Sequence, residues 1–571
     1  MVGFRQRAEL ERDASRSPPP GGPGMMRQLH GWLSRWSWGQ SSAAEVVTSA
    51  SHWMEDHPNI APRNIDERVR RLARCYSNIN NAERVVEAIA PIGDMPALVP
   101  VARSSISIFL SPFQFFHWLK EASPSKFQNH LGANPEGMER WWAGLQSSRP
   151  GRAMWAAHPW LRDRTPSDLK WHLPLMLFDD AGPTSQTNSS FARCWFSVAS
   201  DGAGGEKHTM YLIATGLKDD PLVDRSWRPM LAEFERLAQP VEDGKWGGVL
   251  LFVGADLEYA CNMLGMPHFN SNEICVECMA NTTDIPHNNF GVDAAWRATL
   301  KTPDQYFEHF RKPLHPLVCH DFYTTFAYRY DLLHMLDHHG VASQVLGNIC
   351  WHHVSHAERE TNVLPGDTVA DRVDFLTSDM HAWYQQHNVG ERLPSMKESM
   401  IKPDGGFPDL CGNGVKAANV RAAVPYALDL QQRATTMNPT NRQRHMLKII
   451  ESLNAAYVIF YNAGTFLTDA ECQRLKTHLT HLGRHYQVLQ LRDLELNRPR
   501  WKTTTKMHYV CAHLGDQAEL INPRRVQGYA SESMVGRVCT IYKASQRGPY
   551  HDRIQEVALT KYKTGMKLLW V

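Results

Sequence analysis

The sequence HLPLMLFDD occupies residues 172–180 and joins a strongly apolar run to two aspartates. The turn-forming residues AGPTSQTNSS follow it, so the pattern is typical of a strand that ends at Asp179 or Asp180. Two more strand-like runs, FARCWFSVA (191–199) and HTMYLIATGL (208–217), come next with only short turns between them. Because short turns join antiparallel neighbours, we predict a three-stranded antiparallel meander.

A helix and a fourth strand follow the meander. The apolar residues of RPMLAEFERLA (228–238) recur at helical spacing, whereas VLLFVGAD (249–256) is almost continuously apolar. A continuous apolar run is typical of a strand that is buried on both faces. If the first and fourth strands are neighbours, the carboxylates of Asp180 and Asp256 meet at one edge of the sheet.

Paired carboxylates at a sheet edge suit hard divalent cations, which prefer oxygen ligands. Two such ions activate a water or a 3′-hydroxyl and stabilise the leaving oxygen in phosphodiester chemistry. The other interpretation is that Asp180 forms a turn and that Asp256 caps the next helix, LEYACNMLG.

Cys275 and Cys278 form a C-x₂-C pair within NSNEICVECMAN. Two thiolates at this spacing can bind one tetrahedral zinc ion, but they supply only half of its ligands. In YRYDLLHMLDHHG, the residues Asp331, His334 and His338 are spaced i, i+3 and i+7 and so share one helical face. We expect His334 as the third ligand and His338 or Asp331 as the fourth. Two unligated core cysteines are the alternative interpretation.

Two further patterns are weaker. His352 and His356 are spaced i, i+4 in WHHVSHAERE, but the glutamate of the H-E-x-x-H zinc hydrolase motif is missing. Near the C-terminus, GYASESMVGRV predicts a loop followed by a helix with Glu532 in its first turn. The helix dipole favours a carboxylate there, so this residue on its own indicates only a good helix start.

Composition limits the class of protein. The chain has 571 residues, with 61 Lys and Arg against 59 Asp and Glu, which excludes a uniformly basic nucleic-acid coat protein but not a local basic groove. Its 43% of hydrophobic residues and 21% of charged residues are typical of a folded protein. No apolar run approaches the ~18–20 residues of a membrane span, and the N-terminus lacks the apolar centre of a secretory signal. Eleven cysteines with one close pair favour a reducing compartment.

Three blocks resemble the DDE transposases of cut-and-paste DNA elements, especially the CACTA (En/Spm-like) type. They are GADLEYACNMLGMPHFNSNEICVECMAN, YDLLHMLDHHGVA and KMHYVCAHLGDQAELINPRRVQGYASESMVGRV, while LMLFDDAG stands in the place of the first-Asp strand. The resemblance covers about residues 170–545. It implies a DDE triad of Asp180, Asp256 and Glu532, a zinc-binding insertion after the second aspartate, and a histidine-rich strand before the glutamate helix.

The fold that this resemblance implies is α/β: an RNase H-like core with a mixed five-stranded sheet, interrupted by a large helical insertion. Asp256 and Glu532 are 276 residues apart, which requires such an insertion. The expected regions are a disordered leader (1–28), a helical N-terminal region (29–165), the first part of the core with the C-x₂-C pair (166–299), the helical insertion (300–499) and the C-terminal part of the core (500–571).

The implied function is phosphodiester hydrolysis and strand transfer, with Mg²⁺ (or Mn²⁺) at the triad and a structural Zn²⁺ at the cysteine pair. DNA is the implied partner and a homo-oligomer is left open, with a nuclear location and no membrane. Arg524, Arg525 and Arg537 are the expected phosphate contacts.

Three alternatives stay open. Asp179 competes with Asp180, and Glu358 and Glu360 compete with Glu532. A catalytically inactive, transposase-derived DNA-binding or structural protein with a zinc site is the alternative function. A zinc hydrolase acting through the histidines of WHHVSHAERE is the third.

Overall fold

The computed structural model describes residues 23–61, 64–101, 108–184, 188–200, 209–218, 226–355, 363–402, 406–436, 439–546 and 553–570. These residues form a mixed α/β structure that is mainly helical around one five-stranded mixed sheet. Among them, no helix is both long enough and apolar enough to cross a lipid bilayer.

The N-terminal helices form a small core of their own. They are α1 (Pro23–Ser37), α2 (Ala43–Asp56), α3 (Glu67–Cys75) and α4 (Ala82–Ile89), with a 3₁₀ helix at Tyr76–Asn81. A capping box of Ser42 and Glu45 begins α2. The buried apolar side chains of this group, from Met25 to Ile89, pack together and apart from the main core.

The next elements belong to the main core. They are β1 (Leu98–Pro100), β2 (Ile108–Leu110), α5 (Pro112–Ala122), α6 (Pro124–Leu131), α7 (Pro135–Ser147) and α8 (Arg149–Ala157). Each of these helices has a proline in its first turn, where the missing N–H costs nothing. The region expected as one unit (29–165) therefore contributes to two hydrophobic clusters, with the change between Ile89 and Met95.

The sheet is built as the strand pattern predicts. Its strands are β3 (His172–Pro183), β4 (Ser189–Ser197), β5 (Tyr211–Leu217), β6 (Gly247–Ala255) and β7 (Tyr328–Tyr330), and α9 (Trp227–Leu237) connects β5 to β6. The spatial order is β5-β4-β3-β6-β7. The first three strands are antiparallel, whereas β6 is parallel to β3 and β7 is parallel to β6. The predicted meander and the pairing of the first and fourth strands are both confirmed.

Most of the remaining chain is helical. The helices are α10 (Leu257–Tyr259), α11 (Pro303–Glu308), α12 (Val341–Val354), α13 (Val369–Gln386), α14 (Glu398–Ile401), α15 (Ala417–Ala434), α16 (Asn441–Asn462), α17 (Asp469–Glu495), α18 (Thr505–His508), α19 (Leu514–Ala518), α20 (Tyr529–Gln546) and α21 (Ile554–Trp570). Single π-helical turns occur at Ala260–Leu264, Leu333–Asp337 and Tyr509–His513, and 3₁₀ turns occur at Ala295–Ala298 and Pro523–Val526.

The last two helices pack against the sheet. Helix α20 packs across β3 and β4, and its close approach depends on Gly182, where a Cβ would lie 2.8 Å from the Cys539 Sγ. Helix α21 packs against α1 and β5, and the Tyr562 hydroxyl accepts the N–H of Leu212 at 3.0 Å. The C-terminal helices thus fix one face of the sheet.

One expectation about elements is wrong. The histidine-rich segment KMHYVCAHLG is not a strand but a helical run from Thr505 to Ala518, with the Thr504 hydroxyl capping its start. A strand would direct His508 and His513 to opposite faces, because their spacing is odd, whereas the π turn brings them to the same side. The short strand β7 lies within the region expected as the helical insertion (300–499).

Candidate functional site

One large cavity lies at the edge of the sheet where β3 and β6 end. Its volume is about 940 Å³, and Asp180, Asp256 and Glu532 all line it. Asp180 lies near the end of β3, Asp256 follows β6 directly, and Glu532 lies in the first turn of α20. The packing of α20 on β3 therefore places the glutamate in the wall of the same cavity as the two aspartates.

The two neighbouring aspartates of β3 have different surroundings. Asp179 is buried and accepts a hydrogen bond from the Nε of Arg193 at 2.8 Å. The Arg193 guanidinium also lies 3.4 Å from the ring centre of Trp227 and donates to the Ser226 hydroxyl. Successive strand residues face opposite sides of a sheet, so Asp180 faces the cavity and Asp179 the core.

The electrostatics of Asp180 differ from those of an ordinary carboxyl. Burial raises its pKa to about 7, because the charge of His334 offsets desolvation only in part while Asp256 and Asp331 add to it. A cation bound beside Asp180 would favour the ionised carboxylate and lower this pKa again.

Asp256 caps a helix and also lines the cavity. Its Oδ1 accepts the backbone N–H of Tyr259 and so caps α10, as the sequence predicts. The cap leaves the second carboxylate oxygen on the cavity side. Glu532 is exposed to the cavity, with its own N–H bonded to the carbonyl of Gly528 at 2.7 Å.

His334, expected to bind zinc, lies in this cavity instead. Its Nδ1 is 2.6 Å from Oδ2 of Asp331, which is only 1% exposed. Burial lowers the pKa of His334, but the hydrogen bond and charge of Asp331, together with Asp180 and Asp256, outweigh burial and raise the pKa to about 9. A protonated imidazole therefore lies among the three carboxylates.

The cysteine pair has two different histidines beside it. The Cys275 Sγ lies 3.4 Å from the His513 Nε2, and the Cys278 Sγ lies 3.4 Å from the His508 Nε2. All four side chains are buried, and their ligand atoms lie within 4.8 Å of one another. A tetrahedral zinc ion with Zn–S of ~2.3 Å and Zn–N of ~2.0 Å places sulfur and nitrogen about 3.5 Å apart, so this group fits zinc.

The expectation that His334 and His338 complete the zinc site is therefore wrong. The helical turn ends at Asp337, so His338 leaves the helical face on which the spacing argument placed it. Both histidines line the cavity. The signal for the correct ligands is the H-x₄-H spacing within KMHYVCAHLG, which the strand interpretation of that segment concealed.

Backbone and carboxylate groups orient the two histidines of the cysteine group. The Nδ1 of His508 donates to the carbonyl of His287 at 3.0 Å, and the Nδ1 of His513 lies 3.5 Å from the Glu277 carboxylate. These contacts leave each Nε2 free as a ligand atom, which is the arrangement found around metal-binding histidines.

The three cavity carboxylates are less compact than the cysteine group. Within the described part of the chain, the other group with three ligand atoms inside 4.8 Å is the partly exposed set of His339, Asp409 and Cys411. Two metal ions ~3.5–4 Å apart need ligands spread more widely than a single ion does. The wider spacing of the triad is therefore compatible with a two-ion centre.

Lysines supply the positive charge of the cavity wall. Lys502 and Lys543 are exposed there, whereas Lys506 donates to the carbonyls of His338 and His339 at 3.2 and 3.1 Å. The acidic centre thus has a basic rim.

The three arginines expected to contact phosphate take part in the fold. Arg524 donates to the carbonyl of Tyr461 at 2.8 Å, and Arg525 donates to the carbonyl of Ser200 at 3.1 Å. The Arg537 guanidinium lies 4.2 Å from the ring centre of Trp38. The structure thus places these side chains against protein groups, and the lysines are the cations of the cavity.

Of the remaining candidates, only His352 lies within the described residues, and it does not line the cavity. His352 is buried in α12, and burial lowers its pKa well below the ordinary value. His356, Glu358 and Glu360 lie outside the described residues.

No protein-family model matches this chain, and no curated protein matches it significantly. A function can therefore be inferred only from the geometry of the cavity and of the cysteine–histidine group.

Proposed function

We propose that the chain is a DDE transposase-like, DNA-processing enzyme with an RNase H-like core. The observation that supports this most is that Asp180, Asp256 and Glu532 all line one cavity, although Asp256 and Glu532 are 276 residues apart. The strand order β5-β4-β3-β6-β7, with three antiparallel strands followed by two parallel ones, supports the core assignment.

The three carboxylates are the proposed ligands of two Mg²⁺ or Mn²⁺ ions. Such ions, when bound, activate a water or a 3′-hydroxyl and stabilise the leaving oxygen of a phosphodiester. The carboxylate oxygens of these three residues are the ligand type that a hard divalent cation prefers.

The protein's own contribution is to place the DNA. Lys502 and Lys543 on the cavity rim are suited to contact backbone phosphates on either side of the acidic centre. These lysines replace the three arginines as the proposed phosphate contacts. A DNA substrate also implies a nuclear location.

Zinc is proposed as a structural ion at Cys275, Cys278, His508 and His513. It would join the loop after α10 to the helical run that follows Thr504, whose residues 503–506 line the cavity. The ion would thereby stabilise one wall of the cavity without taking part in the reaction.

A DNA nicking and strand-transfer assay tests the proposed enzyme. The wild type is expected to give products that depend on Mg²⁺ or Mn²⁺, and Asp256→Ala is expected to reduce the rate by about 100-fold or more, because charge stabilisation by a metal is worth several kcal/mol. Asp304→Ala, in the exposed first turn of α11, is the matched control and should retain activity. Equal activity in the wild type and Asp256→Ala would contradict the assignment.

One observation favours a catalytically inactive alternative. The imidazole of His334 already provides a positive charge among the carboxylates, and the compact metal-binding group is the cysteine–histidine one. A DNA-binding or structural protein of this kind binds zinc and DNA but does not cleave in the same assay.

A further inference from the structure

The segment of residues 331–337 contacts the start of α20 at two points. The Asp331 Oδ1 accepts the backbone N–H of Gly528, and the Asp337 carboxylate accepts the hydroxyl of Tyr529. Both aspartates are only 1% exposed. Because Glu532 lies one turn further along, these contacts determine where its side chain enters the cavity.

Gly528 is required for the first of these contacts. A Cβ at this position would lie 2.7 Å from the Asp331 Cγ and 2.9 Å from its Oδ1, closer than real side-chain contacts. The backbone of residue 528 can therefore approach the carboxylate only as glycine. This close fit couples the start of α20 directly to Asp331.

The same carboxylate holds His334. The Asp331 Oδ2 lies 2.6 Å from the His334 Nδ1, and the Oδ1 also accepts the N–H of Leu333 at 3.0 Å. With Nδ1 engaged, Nε2 is the ring nitrogen left for the cavity that His334 lines. A carboxylate that binds one ring nitrogen fixes both the orientation and the tautomer of a histidine.

We propose that Asp331 is the positioning residue of this cavity: it sets the place of Glu532 through Gly528 and directs the Nε2 of His334 towards the carboxylates. The inference rests on the proposed DNA-processing function and deepens it. Asp331 acts only through these two groups.

Two substitutions test the two contacts. In Asp331→Asn, the amide oxygen still accepts from Gly528, but the amide NH₂ faces the Nδ1–H of His334 and cannot accept it, so the imidazole ring loses its anchor. In Gly528→Ala, the added methyl lies closest to the Asp331 Oδ2, so it displaces the start of α20 from the carboxylate and disturbs the Asp331–His334 pair as well. Asp379→Asn is the control, because it makes the same change at an aspartate that accepts from Tyr426 and Arg433 and does not line the cavity.

Turnover and DNA affinity are measured separately on the full-length chain. We expect kcat for nicking to fall about 100-fold in Asp331→Asn and in Gly528→Ala, because small misplacements of reacting groups have effects of this size. The Kd for DNA, from fluorescence anisotropy without divalent ions, should stay within twofold, and Asp379→Asn should change neither value. A kcat within twofold of wild type in Asp331→Asn, or a loss that appears in DNA affinity instead, would overturn the proposal.

Hydrogen exchange tests the positioning without any cleavage. Amides of residues 528–535 should exchange faster in Gly528→Ala than in wild type, and at the wild-type rate in Asp331→Asn and Asp379→Asn. Unchanged exchange in Gly528→Ala would refute the coupling of α20 to Asp331. If the wild type does not cleave but exchange behaves as expected, the proposed function fails while the positioning role of Asp331 is supported.

Discussion

Asp179 and Asp180 are neighbours in β3, yet their carboxylates serve opposite purposes. Asp179 neutralises Arg193, whose charge would otherwise be buried without a partner, in an ion pair whose two side chains are 3% and 0% exposed. Asp180 faces other carboxylates, and its ionised form is disfavoured by burial. Asp179 therefore stabilises the fold, whereas ionised Asp180 lowers its stability and contributes a carboxylate to the cavity.

This difference predicts opposite effects of the same substitution. Asp179→Asn should lower the free energy of unfolding by about 3–5 kcal/mol, because it leaves the buried guanidinium unpaired. Asp180→Asn should raise it by about 1–3 kcal/mol above pH 7, because it removes a carboxylate whose pKa is raised in the folded state. The gain should shrink as the pH falls from 7 towards 4 and disappear below the ordinary pKa of 3.8, where the carboxyl is protonated in both states.

Urea unfolding without added divalent ions measures both effects. Burial raises the pKa of Asp179 as well, and Arg193 opposes this shift. Asp179→Asn is therefore expected to lower the free energy of unfolding only because it leaves the buried arginine without a counter-charge. Destabilisation by Asp180→Asn at pH 8 would show that Asp180 is a structural residue.

At the scale of elements, the helical run from Thr505 to Ala518 connects both candidate sites. It carries His508 and His513 to the cysteine pair, while Lys506 at its start reaches the cavity wall. Loss of the cysteine–histidine group would therefore disturb this whole helical run rather than single side chains.

The structure predicts which residues retain zinc. The Cys275→Ser/Cys278→Ser double variant and His508→Ala should lose the metal, whereas His334→Ala should keep one equivalent. Because a structural zinc site contributes directly to folding free energy, the first two should also melt at clearly lower temperature. Elemental analysis and thermal unfolding check this; zinc retained in the double variant, or lost in His334→Ala, would contradict the Cys₂His₂ assignment.

Much of the sheet could be predicted from the sequence, because apolar runs and turn residues are local signals. The positions of Asp180 and Asp256 at strand ends follow for the same reason, whereas Glu532 is assigned through the family resemblance. The cysteine–histidine group could not be predicted, since the paired cysteines and histidines are 230 and 238 residues apart. The π turn that aligns His508 with His513 matches neither the helical nor the strand period.

At the scale of the whole molecule, a net charge of +2 conceals a separation of charge. Acidic side chains occupy the centre of the cavity and exposed lysines its rim, while Arg524, Arg525 and Arg537 contact protein groups. The distribution of charge, rather than its sum, therefore bears on DNA binding.

Salt dependence of DNA binding tests this distribution. Lys502→Ala and Lys543→Ala should each weaken binding and reduce the slope of log K against log salt concentration by about 1, because each removes one phosphate contact. Arg524→Ala should leave the slope unchanged and lower thermal stability instead. A reduced slope in Arg524→Ala, with none in the lysine variants, would return the phosphate contacts to the arginines.

Asp180, Asp256 and Glu532 are far apart in the sequence, so the acidic centre can be completed only late in translation. A ribosome that adds about 5–20 residues per second completes Asp256 roughly 15–55 s before it reaches Glu532. A nascent chain that ends before residue 505 contains all five strands of the sheet but lacks the third carboxylate and both histidine ligands. The proposed centre is thus incomplete in every nascent chain that ends before Glu532.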